Sequence, residues 1–192
     1  MAPSRVDRSL ILETAEALVD RDGWRQLTIT ALATKLGVRG PSLYHHVDGI
    51  DGLLGELQVR ALRDLGAELQ RAAMGKAGRD GMRALASVLR DFAARSPGRY
   101  DLAMREPFDE RAVLRASTAA SEALSAVIAS FGVAEASLEL QLSCLATLHG
   151  VLALDRSGLM TSAVDTPAVY DRAVDLVVLL LEHEGRGEAW RT

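Results

Sequence analysis

The stretch from Thr28 to Val47 constrains the fold more than any other part of the chain, because it predicts two short helices joined by a tight turn. Thr28 suits the cap of the first helix, since its hydroxyl can accept from the free N–H groups of the first turn. Gly37 suits the left-handed residue that ends this helix, and Pro41 suits the first turn of the next. Two helices around such a turn form a helix-turn-helix, whose second helix can enter the major groove of DNA. The alternative is an ordinary corner in a helical core.

This segment and the residues before it resemble a known family. The run at 37–47, Gly-Val-Arg-Gly-Pro-Ser-Leu-Tyr-His-His-Val, is similar to the recognition-helix signature of the tetracycline-repressor (TetR) family of bacterial regulators. Residues 11–19 and parts of 22–28 resemble the first helix of that family and the turn after it. The similarity covers about residues 8–54, and a weaker one lies around a His-Gly pair at 145–152. The resemblance implies a DNA-binding head followed by a helical body.

Composition favours an all-α chain. Of 192 residues, 48% are hydrophobic and only 4% aromatic, and strand-like alternation is nearly absent. We expect about nine helices, with a three-helix helix-turn-helix DNA-binding domain at residues 1–50 and a ligand-binding and dimerisation domain at residues 51–192. Besides the helix-turn-helix pair, the predicted helices cover about residues 5–22, 51–73, 80–95, 100–105, 110–130, 134–156 and 168–184.

Charge and cysteine content narrow the class of protein. The net charge is −4, but residues 1–47 carry six basic and five acidic side chains, so this part has a net charge of +1 and the remainder −5. Such a distribution suits a small DNA contact patch. A single cysteine, Cys144, excludes a disulfide within the chain. No leader-like segment and no apolar run of membrane-spanning length is recognised, which predicts a cytoplasmic protein without a membrane partner.

The DNA contacts are predicted from the helix-turn-helix. The start of its first helix suits a phosphate, and the front of its second helix suits base edges, where Arg39 can pair with guanine. The resemblance implies backbone contacts for Tyr44 and His46; the alternatives are a core aromatic and a buried capping histidine. Two N-terminal arginines can act as an arm, unless they are ordinary surface residues. The predicted contacts are Arg5, Arg8, Thr28, Arg39, Gly40, Pro41, Ser42, Tyr44, His45 and His46.

One position departs from the family pattern. The family usually places a lysine at the start of the fourth helix, where it meets a phosphate, and Ile50 takes that place here. Asp48 and Asp51 flank it, and carboxylates near DNA lower affinity.

A dimer interface is predicted on the eighth and ninth helices. Helix-turn-helix regulators bind two half-sites as dimers, and these helices carry more apolar side chains than one thin core needs. Gly150, inside a helix, suits close approach of another helix. The alternative is a monomer whose last helices are core. The predicted interface comprises Leu138, Leu142, Leu145, Leu148, Gly150, Leu152, Val174, Val177, Val178 and Leu181.

A small-molecule cavity is predicted between the fifth and eighth helices. Methionines and few polar groups favour an apolar or flat effector of unknown identity. Each candidate is otherwise an ordinary core residue, and His149 a satisfied core histidine. The predicted lining comprises Met82, Leu85, Leu89, Phe92, Tyr100, Met104, Phe108, Leu124 and His149.

Catalysis has little support in the sequence. Cys144 and His149 lie five residues apart, which does not place a nucleophile and a base on a shared helical face. The adjacent pair His45 and His46 does not have metal-ligand spacing, so no metal or cofactor is predicted. The sequence therefore predicts a ligand-responsive repressor, not an enzyme, that binds a palindromic operator as a dimer and is released by a small molecule. The alternatives are a head used for protein contacts and an α-helical enzyme.

Overall fold

The computed structural model describes residues 7–187, and within them it contains nine α-helices and no strand, which confirms the predicted all-α class. A single 3-10 turn at Trp24–Gln26 follows the first helix. The helices are α1 (Arg8–Asp22), α2 (Ile29–Leu36), α3 (Gly40–Leu43), α4 (Gly49–Ala73), α5 (Gly78–Arg95), α6 (Pro97–Ala103), α7 (Glu110–Ala129), α8 (Leu138–Arg156) and α9 (Thr166–Gly185).

Two helix starts differ from the prediction for a physical reason. The Ser-Pro-Gly run at 96–98 was expected only to end a helix, yet α6 begins at Pro97. Proline suits a first helical turn because its missing N–H has no helical partner there. The eighth helix was expected from residue 134 but begins at Leu138, because Ser137 caps it by accepting from the Leu140 N–H at 3.3 Å.

The helices pack as two compact units that do not follow chain order. The head unit comprises the chain through Asp64 together with Phe92–Ser117, and the body unit comprises Leu65–Asp91 together with the chain from Thr118. The head unit therefore contains α6 as well as the helix-turn-helix. Helices α4, α5 and α7 each contribute residues to both units. The division of the chain at residue 50 into a DNA-binding domain and a ligand-binding and dimerisation domain stays a prediction.

The core of the head unit is built from α1 to α4 and one residue of α6. Its members are apolar, and full burial of such a side chain stabilises by roughly 1.5–3 kcal/mol. Val38, in the turn, packs against the edge of this core. The fully buried members are Ile11, Ala15, Val19, Leu32, Leu43, Leu53, Leu57 and Leu102.

Helix α6 lies directly against α1 within the head unit. A Cβ added at Gly98 would overlap the carbonyl oxygen of Val19 and lie 2.5 Å from its carbonyl carbon, so only glycine permits this approach. Asp20 accepts from the Arg99 backbone N–H at 2.9 Å and from its Nε at 2.8 Å. Backbone contact and a charge-assisted hydrogen bond together hold α6 on the first helix.

The body unit buries one face of each of its helices. The Tyr170 hydroxyl in α9 donates to the carbonyl of Ala86 in α5 at 2.8 Å, and burial raises the pKa of Tyr170. Three exposed ion pairs also join α5 to α9, each of which contributes at most about 1 kcal/mol. They are Arg79–Glu182 at 2.8 Å, Arg83–Asp175 at 3.1 Å and Arg90–Asp171 at 3.4 Å.

Helix α7 corrects one sequence expectation. Within the described residues it is the one helix long and apolar enough to cross a membrane by length and composition, whereas no such run was expected. Its mean hydropathy comes from seven alanines and five larger aliphatic residues that are spread along the helix instead of forming one continuous apolar run. One such helix is weak grounds for a membrane protein.

Candidate nucleic-acid interface

The turn between α2 and α3 has the predicted geometry. The Thr28 hydroxyl accepts from the Ala31 N–H at 3.1 Å and so caps α2. Gly37 ends α2 in the left-handed region at φ 69°, and the Val38 N–H donates to the carbonyl of Ala33 at 3.0 Å. These bonds satisfy both ends of a short helix and fix the angle at which the chain enters α3.

The second helix of the pair is short, as the sequence predicts. Helix α3 has only one turn, Gly40–Leu43, and the residues after it form turns instead of continuing the helix. The amide N–H groups of His46 and Val47 still donate to the carbonyl of Leu43, at 2.8 and 3.1 Å. Leu43 is fully buried and anchors the segment to the head core.

The predicted base-reading side chains lie on the surface. Arg39, Ser42 and His45 are exposed, as is Pro41 beside them. Tyr44 is 60% exposed, so the alternative of a core aromatic at this position is wrong. Gly40 and His46 are half-buried. A short helix with an arginine, a serine and a histidine on its outer side can offer hydrogen bonds to base edges and phosphates.

Two exposed residues of α2 were missed by the sequence reasoning. Thr30 and Lys35 lie on the outer face of α2, and a lysine there can neutralise a phosphate. The helical period contained the signal: Leu32 and Ala33 are buried, so positions 30, 34 and 35 face away from the core.

The predicted N-terminal arm is only partly described. Arg5 lies outside the described residues. Arg8 begins α1, and its Nη2 pairs with Glu56 Oε1 of α4 at 2.6 Å. A phosphate contact by Arg8 would have to replace this exposed pair, which contributes little. The proposed role of both arginines stays a prediction.

The start of α4 combines exposed acidic residues with a half-buried isoleucine. Asp48 and Asp51 are exposed, and Ile50 packs partly against the head core. The side chain that replaces the usual lysine therefore adds apolar packing to the head, and the local charge is negative.

The predicted cavity residues divide between the two units. Phe92, Tyr100, Met104 and Phe108 belong to the head unit, where the first two are buried and Phe108 packs against the head core. The others belong to the body unit: Met82, Leu85 and Leu89 are buried, and Leu124 and His149 are half-buried. Their role in binding a ligand stays a prediction.

A groove in the body unit was not foreseen. It lies between α5 and α9, has a volume of about 450 Å³, and contains none of the predicted lining residues. Two of the ion pairs between these helices line it. Its lining comprises Arg83, Ala86, Ser87, Arg90, Tyr170, Asp171, Val174 and Asp175.

The predicted dimer residues divide into buried and outward-facing sets. Leu138 and Leu142 are exposed, and Leu145 and Gly150 are half-buried. The remaining six are buried within their own chain, which leaves them little side-chain area for a partner. Those six are Leu148, Leu152, Val174, Val177, Val178 and Leu181. Beyond its own helix backbone, a Cβ at Gly150 would meet no described atom within 4 Å, so close helix approach within residues 7–187 does not explain this glycine.

The exposed apolar residues of the same helices were missed. Leu176 and Leu179 of α9 and Leu154 of α8 are exposed, as are Leu159 and Val164 in the connecting loop. In the sequence, Leu176 and Val177 are neighbours of similar hydrophobicity, and only their opposite burial separates them.

Two observations within the described residues bear on catalysis. Burial raises the pKa of the Cys144 thiol to about 11, so it remains protonated and poorly nucleophilic near neutral pH. Within residues 7–187 no three His, Cys, Asp or Glu side chains are grouped as metal ligands.

Comparison with known proteins agrees with this geometry. Residues 11–57 match the family of bacterial regulatory proteins called the tetR family, and residues 82–177 match the tetracyclin repressor-like C-terminal domain. An uncharacterised HTH-type transcriptional regulator of Mycobacterium tuberculosis is 36% identical over 181 residues, which are 93% of this chain and 81% of that protein.

Solved structures show the same fold. A protein of unknown function from a Rhodococcus species has a TM-score of 0.77 at 23% identity, with 95% of this chain and all of that chain covered. A TetR-family transcriptional regulator from Streptomyces coelicolor has a TM-score of 0.68 at 21% identity, covering 91% of this chain and 95% of that one. The curated relatives are named as transcriptional regulators, and the family is not enzymatic. This confirms the prediction that the protein is not an enzyme. The chain belongs to the TetR family of DNA-binding transcriptional regulators.

Proposed function

We propose that this regulator is a repressor that binds a palindromic operator as a homodimer and is released by a small molecule. DNA binding follows from the family, whose members usually dimerise and bind small-molecule effectors. Because its target is DNA, we place its action in the bacterial cytoplasm. The observation that carries the proposal is the distribution of exposed apolar side chains.

Exposed apolar residues concentrate on α8, α9 and the loop between them. Of the eleven large hydrophobic side chains exposed within residues 7–187, seven lie between Leu138 and Leu179. By helical register, Leu138, Leu142 and Leu145 share one face of α8, and His149 lies on that face too. Exposed apolar patches of this kind mark interaction surfaces, and a two-fold axis makes such a patch complementary to itself. We therefore replace the six buried residues of the predicted interface with the seven exposed ones, and we name this set the α8–α9 face. It comprises Leu138, Leu142, Leu154, Leu159, Val164, Leu176 and Leu179.

DNA binding by the head is tested by titration against duplex DNA at two salt concentrations. A protein that neutralises phosphates releases counterions, so its affinity falls steeply as salt rises. A flat salt dependence would instead favour the alternative in which the head binds another protein. The duplex is best obtained by selection with this protein from a random-sequence library.

Base reading by α3 gives a first prediction. Arg39→Ala and His45→Ala are each expected to reduce the preference for selected over scrambled duplex by about 1–3 kcal/mol, the contribution of one good base contact. The control is Tyr44→Phe, which should weaken both duplexes alike, because a phosphate contact carries no base information. The measurement is Kd on both duplexes. Equal losses on the two duplexes for the Arg39 and His45 variants would contradict their assignment to base edges.

Control by a small molecule gives a second prediction. Helix α4 contributes residues to both units, which suits it to carry a change from the body to the head. An effector found by thermal-shift screening should bind more weakly in the presence of saturating operator duplex. By reciprocity the loss equals the factor by which the effector weakens operator binding, about 5–150-fold in typical cases. An effector affinity that duplex leaves unchanged would contradict control by that molecule.

A further inference from the structure

An arginine outside the helix-turn-helix is held against two aromatic rings of the head unit. Arg105 lies in the loop between α6 and α7, and its Cζ is 4.4 Å from the ring centroid of Trp24 and 4.1 Å from that of Phe108. Its Nη1 is buried and has no hydrogen-bond partner within the described part of the chain. The rings therefore stabilise this side of the guanidinium through cation–π contact.

A buried glutamine of α4 holds the backbone of the loop that carries Arg105. Gln58 of α4 is fully buried, and its Nε2 donates to the carbonyls of Leu102 at 3.0 Å and Arg105 at 3.3 Å. Its Oε1 accepts from the Phe108 N–H at 3.1 Å. A buried polar side chain whose groups are all used in this way defines one position for the loop backbone.

This arrangement is poorly suited to stability alone. A buried guanidinium N–H without an acceptor costs free energy, and an apolar side chain in the same place would avoid that cost. Departures from the most stable choice are expected where a residue serves function.

Trp24 begins the 3-10 turn that precedes the first helix of the helix-turn-helix. In the 3-10 turn, the Gln26 N–H donates to the carbonyl of Gly23 at 3.1 Å and the Leu27 N–H to the carbonyl of Trp24 at 3.3 Å. Leu27 is buried in the head core and directly precedes the helix cap Thr28. A hydrogen-bonded turn therefore connects the backbone of Trp24 to the start of α2, whose amides suit a DNA phosphate.

We propose that Arg105 is a positioning residue for DNA binding, which holds the start of α2 in its DNA-binding position through Trp24 without touching DNA. Gln58 supports it by fixing the loop. The proposal rests on DNA binding, which the family establishes, and not on the repressor role or the effector. The α6–α7 loop would then contribute to DNA affinity, although the sequence predicts a DNA-binding domain that ends at residue 50.

The test measures Kd and its salt dependence for the full-length protein on the selected duplex. Arg105→Gln should weaken binding about tenfold, the equivalent of a partly desolvated cation–π contact, with an unchanged slope of log K against log salt. Arg105→Lys, which keeps the cation, should recover part of the loss. Arg111→Gln is the matched control, because it removes the same charge from an exposed position in the first turn of α7 and should bind like wild type. Unchanged affinity in Arg105→Gln overturns the proposal, and so does a slope that falls by about one, since that indicates direct phosphate contact.

A double-mutant cycle with Trp24→Phe tests the route through the ring. This substitution keeps an aromatic side chain in the head but weakens the contact with the cation. Arg25 also lies over this ring, with its Cζ 4.5 Å from the ring centroid. If Arg105 acts through Trp24, then Trp24→Phe should weaken binding more in the wild-type background than beside Arg105→Gln, where only the contact with Arg25 is left to weaken. Additive losses overturn the proposal. If Arg105→Gln does not fold, the milder Arg105→Lys takes its place in the same cycle with the same interpretation.

Discussion

Gly98→Ala is expected to lower the free energy of unfolding by about 3 kcal/mol, the upper part of the usual range for overpacking. Alanine is the better helix former by about 1 kcal/mol, so propensity alone predicts the opposite sign. The new Cβ would overlap the carbonyl oxygen of Val19, which belongs to a helix backbone and cannot move aside as a side chain can. Helix α6 would have to leave α1 and weaken the bonds between Arg99 and Asp20. Denaturant unfolding followed by circular dichroism measures the change.

The matched control for this substitution is Gly150→Ala. Gly150 lies inside α8, and a Cβ there would meet no atom of another described element within 4 Å. Measured at a protein concentration low enough for the monomer, propensity should then act alone and raise the free energy of unfolding by up to about 1 kcal/mol. Opposite signs for the two substitutions are the expected result. Equal effects would show that α6 does not press on α1 in solution.

The helix-turn-helix could be predicted from the sequence because its signals are local. Thr28 and Gly37 act within a few residues of their own positions, as a cap and a left-handed terminus. Such signals depend on hydrogen bonds and backbone angles that do not require the rest of the fold. The length of α3 is different, because the point at which a short helix becomes a turn depends on tertiary packing around Leu43.

The packing of α6 could not be predicted from local patterns. Gly98 looks like a helix terminator in the sequence, and only its contact with Val19 reveals why glycine is needed. Arg105 and Trp24 are far apart in the chain, and neither belongs to a spacing pattern that would bring them together. Periodicity in the sequence does not predict which residues meet only through tertiary contacts.

The dimer face shows a related limit. Apolar residues on α8 and α9 indicate burial but do not say whether the chain or a partner buries them. Val177 and Leu176 differ in this respect although they are adjacent and both apolar. The helical period separates the two faces, but the inward direction becomes known only when the neighbouring helices are placed.

Leu176→Glu is expected to dissociate the dimer and to weaken binding to a palindromic duplex by about 10²- to 10⁴-fold. In the dimer, binding of one head holds the second head at a high effective concentration near the second half-site, and the monomer lacks this advantage. Leu176 is 62% exposed on the α8–α9 face, so a charge there is solvated in the monomer and becomes costly only when a partner covers it. Met74→Glu is the control, since Met74 is 70% exposed in the turn between α4 and α5. Sedimentation analysis gives the oligomeric state, and titration with one and with two half-sites gives the affinity.

The single half-site makes this outcome specific. A dissociated but folded Leu176→Glu protein should bind one half-site with the affinity of wild type, because the head unit does not contain the substitution. Loss on the palindrome with retained single-site binding therefore identifies dimerisation as the property that was removed. A variant that stays dimeric, while Met74→Glu dissociates, would place the interface elsewhere in the chain. The same two duplexes thus separate a failed interface from a failed head, since only a damaged head loses affinity for both.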